Sequence, residues 1–206
     1  VAKEFIDKGL IKGIRLSTRP DNIDLNIVKM LKEYGVTTVE LGVQSLDNKV
    51  LSLSERGYRK EEVERAVKLL KDFQIEVGIQ IMPGLPGSSF KSDLQTVKEV
   101  IEMKPNFTRV YPTLVISDTK LEKMFKNNEF VPLSLDEAVD LTSVIIAMLE
   151  KCKIPIIRVG LQPSEDIREE GVIVAGPFHP AFRELCESNI YRLFFEEKLI
   201  TCEKII

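Results

Sequence analysis

Four short apolar runs in this chain each carry a polar side chain at or near their C-terminal end: Ser17, Gln44, Gln80 and Tyr111. Two carboxamides, a hydroxyl and a phenol can donate and accept hydrogen bonds without changing charge, which suits the polar groups of an adenosine or an amino-acid ligand. Neither Gln can act as a general base. Earlier in the same runs stand Arg15, Glu40 and Arg109, which either face the same ligand or pair with one another. The segment Pro83-Gly-Leu-Pro-Gly-Ser-Ser89 reads as a turn leading into a helix. Free amide N–H groups at such a turn can take a carboxylate or a phosphate, although most turns of this composition are only turns.

Other chemistries lack a part. The three cysteines, Cys152, Cys186 and Cys202, are too widely spaced for a short metal-ligand motif. They read as small apolar residues of a protein kept in a reducing cytoplasm. The single histidine, His179, lies between Phe178 and Pro180 and reads as structural. No phosphate-binding loop, Gly-x-Gly-x-x-Gly or nucleophile elbow is present, and spacing singles out no catalytic carboxylate pair. No metal ligands are expected.

The elements that position these residues follow from periodicity. Strands are expected at 13–17, 38–44, 76–82 and 107–113, with a fifth at 156–159. Each of the first four is followed by a helical pattern, such as Val63, Ala66, Val67 and Leu70. Gly35 falls where a helix C-cap would, and Pro105 stops a helix. This βαβα rhythm predicts a parallel sheet with right-handed crossovers. Beyond residue 113, helices are expected at 119–126, from a Ser134-Leu-Asp-Glu137 capping box onward, and at 181–199, with a Pro/Gly-rich loop over 162–180. Alternation gives every strand one apolar and one polar or small face. A sheet covered by helices on both sides should be apolar on both faces, and a closed barrel should be lined with bulky aliphatics. The pattern therefore predicts an open or partly open barrel whose interior holds a polar ligand.

The 206 residues, 44% hydrophobic and 30% charged, are those of an ordinary globular chain. A net charge of −3 argues against binding a nucleic-acid backbone by bulk charge, and no DNA partner is expected. No apolar run approaches the roughly 20 residues of a membrane helix. No signal peptide is visible, so a cytoplasmic location is expected.

The succession Ser17-Thr-Arg-Pro-Asp21, Val39-Glu-Leu-Gly-Val-Gln-Ser45, Arg56 and Gly78-Ile-Gln-Ile-Met-Pro-Gly-Leu-Pro86 resembles the radical S-adenosylmethionine (radical SAM) superfamily. The similarity is to the branch joining oxygen-independent coproporphyrinogen oxidases to the elongator catalytic subunit, and Tyr111-Pro-Thr-Leu-Val-Ile-Ser-Asp-Thr-Lys-Leu121 is most like the elongator side. The resemblance implies an α/β fold: the C-terminal strands of a partial (βα)6 barrel over residues 1–130. A mostly helical C-terminal extension over 131–206 would pack on it in the same globular unit. It implies an oxidoreductase that uses S-adenosylmethionine and a [4Fe–4S] cluster to make a 5′-deoxyadenosyl radical. The family's Cys-x-x-x-Cys-x-x-Cys and Gly-Gly-Glu-like motifs are absent here. The expectation is a C-terminal piece of a longer protein, missing about 100 residues upstream at the usual size of βα units. Such a piece would be inactive alone and hold neither cofactor.

Carried over by position, the resemblance places Ser17, Gln44, Arg56, Gln80, Gly84, Leu85 and Pro86 near the cofactor, with Tyr111 beside them. Arg56 would reach its carboxylate, Gln80 stand near the ribose where the family often has Asp, and Gly84, Leu85 and Pro86 touch the adenine side. The segments Gly160-Leu-Gln-Pro-Ser164 and Gly176-Pro-Phe-His-Pro180 resemble a region appended in the elongator-like branch. The substrate, small molecule or RNA, is left open. An exposed barrel edge would favour self-association. The competing reading is a self-contained βα domain that binds a small molecule without redox chemistry.

Overall fold

The computed structural model describes residues 2–161 and 171–203. Gln162, Pro163 and Ser164 of one quoted segment, residues 162–170 of the loop expected over 162–180 and the side chain of Cys202 lie outside the described residues, and Ile173–Ala175 of that expected loop form a short strand. In chain order the elements are α1 (Ala2–Asp7), β1 (Ile14–Thr18), α2 (Leu25–Glu33), β2 (Val36–Gln44), α3 (Asn48–Leu53), α4 (Lys60–Asp72), β3 (Glu76–Ile81) and α5 (Phe90–Glu102). There follow β4 (Phe107–Val110), β5 (Val115–Ile116), α6 (Lys120–Lys126), α7 (Leu135–Lys151), β6 (Ile156–Val159), β7 (Ile173–Ala175) and α8 (Phe182–Glu203).

Five strands form one parallel sheet in the order β1-β2-β3-β4-β6, which is the order of the sequence. Sequential order with crossovers of one hand sends every helix to the same side. The core obeys this. Val39, Leu41 and Val43 of β2, Val77, Ile79 and Ile81 of β3 and Val110 of β4 pack with Val28 and Leu31 of α2, Val63 and Leu70 of α4, Val97 of α5, and Leu141, Ile145 and Leu149 of α7. The opposite face of the sheet carries the polar alternates. This is the strand arrangement of a barrel wall rather than of a sheet sandwiched between helices, as expected from the alternating strands.

Local signals set the helix ends. Asp24 accepts from Ile27 N–H at 2.8 Å to start α2. At α7, Ser134 Oγ accepts from Glu137 N–H while Glu137 accepts from Ser134 N–H, so the expected capping box forms. Gly35 takes φ +77° just beyond α2, a conformation that favours glycine. Three details depart from the periodicity. The first helix, expected over 2–10, stops at Asp7. Asp47 caps an extra short helix, α3, by accepting from Lys49 and Val50 N–H. Strand β4 ends at Val110, because Tyr111 and Thr113 N–H turn to Ile81 and Pro83 carbonyls and Pro112 has no N–H to give.

Residues beyond 130 supply the fifth strand and a second small core. Ala138 and Ile146 of α7, Val159 of β6, and Phe182 and Cys186 of α8 form it. Beside it Asn189 Nδ2 donates to Asp140 and to Ser143 Oγ, a buried polar lock between the two helices. The edge strand β6 is partly shielded, since Arg183 Nη1 donates to the Ile156 carbonyl. Strand β1 pairs only with β2, so its outer edge has no strand partner among the described residues. No helix among the described residues is long and apolar enough to cross a membrane.

The sheet–helix layer predicts where stability resides. Ile79, fully buried in the central strand, should cost about 2–5 kcal/mol on truncation to Ala. Val131→Ala, at a side chain 82% exposed, should stay within about 0.5 kcal/mol in urea unfolding.

Candidate functional site at the strand ends

The polar face of the sheet has two layers. In the lower one, Arg15, Glu40 and Arg109 pair with one another. Glu40, buried, accepts from Arg15 Nη2 at 2.5 Å, and its other oxygen lies 2.9 Å from Arg109 Nε. The second contact is an ion pair out of line with the N–H, so Arg109 Nε has no hydrogen-bond partner. Phe107 lies across Gly78, whose missing Cβ would fall 2.1 Å from its ring. The Arg15 guanidinium rests 4.3 Å from the same ring's centre. Of the two readings these charges allowed, the structure shows the pairing of Arg15 and Arg109 with Glu40.

The upper layer holds the strand-end residues. Gln44 adopts φ +66° at a register shift between β2 and β3, strained for a non-glycine residue. Its Nε2 folds back over Gly42, 2.9 Å from where a Cβ would stand. Gln80 Nε2 donates to Gln44 Oε1 at 3.4 Å, and Arg109 Nη1 donates to Tyr111 Oη at 3.0 Å. Ser17 lies exposed on β1. Gln44, Gln80 and Tyr111 therefore come to one end of one face, while Ser17 stands a step below them on β1, in register with Glu40.

The remaining predicted residues stand beside them in a different wall. A cleft of about 150 Å³ is lined by Leu53, Ser54, Arg56, Met82, Leu85 and Pro86, with Thr113 and α6 opposite. None of the four strand-end side chains lines it. The two groups adjoin through Met82, whose N–H donates to the Gln44 carbonyl and whose sulfur meets Arg56 Nη2 at 3.5 Å. Arg56 Nε and Ser54 Oγ are buried without a hydrogen-bond partner. Lys120 bridges to Glu55 at the rim. Gly84 is set apart from both groups. Its N–H is not free for an outside anion, because Asp93 Oδ2 accepts it at 3.0 Å.

Three supporting residues escaped the sequence reading. Tyr58 Oη lies 2.7 Å from the Gly42 carbonyl and 3.0 Å from that of Val43, so its hydroxyl ties down the strained end of β2. Burial pushes that phenol up to about 12. Arg19, within the Ser17–Asp21 motif, grips Asp21 with both Nε and Nη2 and donates to the Arg56 carbonyl at 2.6 Å. The third is Asp93, on α5. Burial pushes its carboxyl up to about 6, against the lowering effect of the Gly84 N–H and Ser88 hydroxyl, and the nearby Asp47 charge adds to the rise. The signals for Tyr58 and Arg19 lay in their closeness to quoted motifs; Asp93 had none beyond its place one turn into a helix.

Compared with known proteins, residues 2–100 match the Radical SAM superfamily and residues 105–192 the Radical_SAM C-terminal domain. The chain is 37% identical over 139 residues to a tRNA uridine(34) acetyltransferase of Methanocaldococcus infernus, covering 66% of this chain and 26% of that protein. It is 31% identical over 153 residues to human Elongator complex protein 3, covering 72% of this chain and 28% of that protein. It thus spans about a quarter of the length of these relatives. The solved archaeal Elp3 of Methanocaldococcus infernus superposes with a TM-score of 0.76 at 33% identity, over 87% of this chain and 42% of that one. Coproporphyrinogen III oxidase from Escherichia coli superposes with a TM-score of 0.59 at 19% identity, over 73% and 36%, a likeness of fold.

Two measurements follow from the charges. Glu40→Gln removes the buried counter-charge shared by two partly exposed guanidiniums and should cost about 2 kcal/mol in urea unfolding. Arg15→Met, at a side chain 42% exposed, should cost less than about 1 kcal/mol. The fold raises the Asp93 carboxyl, so Asp93 contributes most in its protonated form, below about pH 4, and loses that contribution as pH rises through about 6. Wild type should accordingly lose on the order of 2 kcal/mol relative to Asp93→Asn between pH 4.5 and 7.5. A difference that stays flat with pH would count against burial as the cause.

Proposed function

Because this chain belongs to the radical SAM superfamily, in its Elongator protein 3-like branch, we propose that it forms the C-terminal strands of a radical SAM barrel and one wall of an S-adenosylmethionine site. One observation carries this reading. A parallel sheet wound in strand order brings Gln44, Gln80 and Tyr111 to the same end as the Arg56–Leu85–Pro86 cleft.

The residues fit that cofactor. The Arg56 guanidinium, with a buried and unpartnered Nε, suits a carboxylate. The linked amides of Gln44 and Gln80 offer both donors and acceptors to hydroxyl or amino groups, and Ser17 adds a hydroxyl at the β1 edge. Leu85 and Pro86 present an apolar wall to a base. When bound, S-adenosylmethionine would supply radical chemistry able to remove hydrogen from an unactivated carbon, with its electron coming from outside this chain. The chain's own part is to bind, orient and exclude water.

An iron–sulfur cluster finds no such fit. Among the described residues no three His, Cys, Asp or Glu side chains gather to hold a metal. Cys152 is exposed, while Cys186 is buried with its thiol pushed up to about 12. In this reading the cluster's ligands, and the strand that pairs with the outer edge of β1, belong to another part of the protein, and the 206-residue chain alone is inactive.

Relatives named as tRNA uridine(34) acetyltransferases support a tRNA uridine as the substrate of the whole protein. The oxidoreductase label and the porphyrinogen substrate have no comparable support, since the coproporphyrinogen oxidase likeness rests on 19% identity. With a net charge of −3 this chain gives no bulk attraction to RNA, so tRNA binding falls mainly to other parts.

Titrating the ¹⁵N-labelled chain with S-adenosylmethionine to millimolar concentration tests the site. Shifts should concentrate at the Gln44 and Gln80 side-chain amides and at Leu85, and vanish in Arg56→Ala. Shifts confined to α7 and α8, or none at all, would overturn the assignment.

A further inference from the structure

The turn after β3 has the composition of an anion-binding turn, and the anion it meets is the chain's own. We propose that Asp93 is the positioning residue of the cleft. By holding both ends of the Gly84–Ser88 turn on one carboxylate oxygen, it fixes Leu85 and Pro86 as the cleft wall. This rests on reading the cleft as a ligand site, and goes beyond it by assigning its shape to a residue that touches no ligand.

The geometry has three parts. Asp93 Oδ2 accepts from Gly84 N–H at 3.0 Å and from Ser88 Oγ–H at 3.2 Å. Between those points Ser88 N–H closes the turn on the Leu85 carbonyl at 2.9 Å. Gly84 and Gly87 take φ +81° and +79°. From the opposite side, Thr113 donates through both N–H and Oγ–H to the Pro83 carbonyl. The turn is thus pinned in front by Thr113, itself a cleft residue, and behind by Asp93. Leu133 and Leu53 press on the two glycines, with distances of 2.8 Å and 2.3 Å to the Cβ positions they lack.

The helix does not need this carboxylate. Ser89 already caps α5, accepting from Ser92 N–H. An acidic side chain in a first turn gains from the helix dipole while still exposed. Asp93 is instead 6% exposed and faces Asp47, a like charge, so the fold bears a desolvation cost at this position. Holding the turn is what that cost maintains.

Amide exchange on the full chain, with the S-adenosylmethionine titration run in parallel, tests the assignment. Asp93→Ala should speed exchange at Gly84 and Ser88 about tenfold, the loss of a hydrogen bond to a charged acceptor. Exchange in β3 and in the second half of α5 should stay within about twofold. The S-adenosylmethionine concentration giving half the Leu85 shift should rise about fivefold or more. Asp93→Asn, which keeps an acceptor oxygen, should restore both. Should Asp93→Ala not fold, Ser88→Ala removes one donor and no charge, and should speed exchange at residue 88 about threefold while Gly84, still bonded to Asp93, stays within about twofold; no change at residue 88 overturns the proposal. The proposal is overturned if Gly84 exchange is unchanged in Asp93→Ala, if acceleration spreads equally through β3 and α5, or if the Asn variant behaves like Ala. A wild-type chain that shows no response to S-adenosylmethionine removes the cofactor reading, and the exchange data alone then decide whether Asp93 shapes the turn.

Discussion

A parallel sheet wound in strand order has only one face to give to its helices, and the arrangement of this protein follows from how the other face is filled. Burying a polar face without partners would cost several kcal/mol per group. Here the cost is met in two ways along the strand direction. Near the strand starts, Glu40 sits between two guanidiniums and an aromatic ring covers a glycine, so that layer is closed. Near the strand ends, the two carboxamides bond each other and the Tyr111 phenol accepts from Arg109. Charge pairs the bottom layer and neutral polarity marks the top, at the C-terminal end of the strands, where parallel sheets generally take their ligands.

The loops at that end are tied down by main-chain hydrogen bonds rather than by apolar packing alone. Tyr58 secures the last carbonyls of β2, Arg19 holds the carbonyl of Arg56, and Thr113 and Asp93 grip the turn after β3 from two sides. Arg19 and Thr113 reach from one βα unit to the backbone of a neighbouring one, while Tyr58 and Asp93 hold the backbone of their own unit. Order at the site therefore passes from unit to unit across the sheet, and the strained φ of Gln44 persists because its neighbours hold it.

Much of this was legible in the sequence, for physical reasons. Strand alternation is local, so the face carrying Ser17, Gln44, Gln80 and Tyr111 followed from period two. Capping at Ser134 likewise needs only four residues. What escaped were contacts between distant segments. Whether Glu40 would meet a ligand or two arginines depends on residues 25 positions before it and 69 after it, and no spacing rule encodes that pairing. Arg56 was assigned by resemblance alone, and its separation from the strand-end group depends on the unforeseen helix α3. The apparently free amide of Gly84 was read without its partner, because an aspartate inside an amphipathic helix looks like a solvated residue until the helix is docked.

The ring of Phe107 occupies the volume that any side chain at position 78 would need. These two positions lie on different strands and 29 residues apart, yet neither can be altered freely while the other stays fixed. A mutational path that enlarges residue 78 must first, or simultaneously, shrink residue 107, and such steps are rarely taken singly. The pair is therefore one unit of shape although it is written in two places.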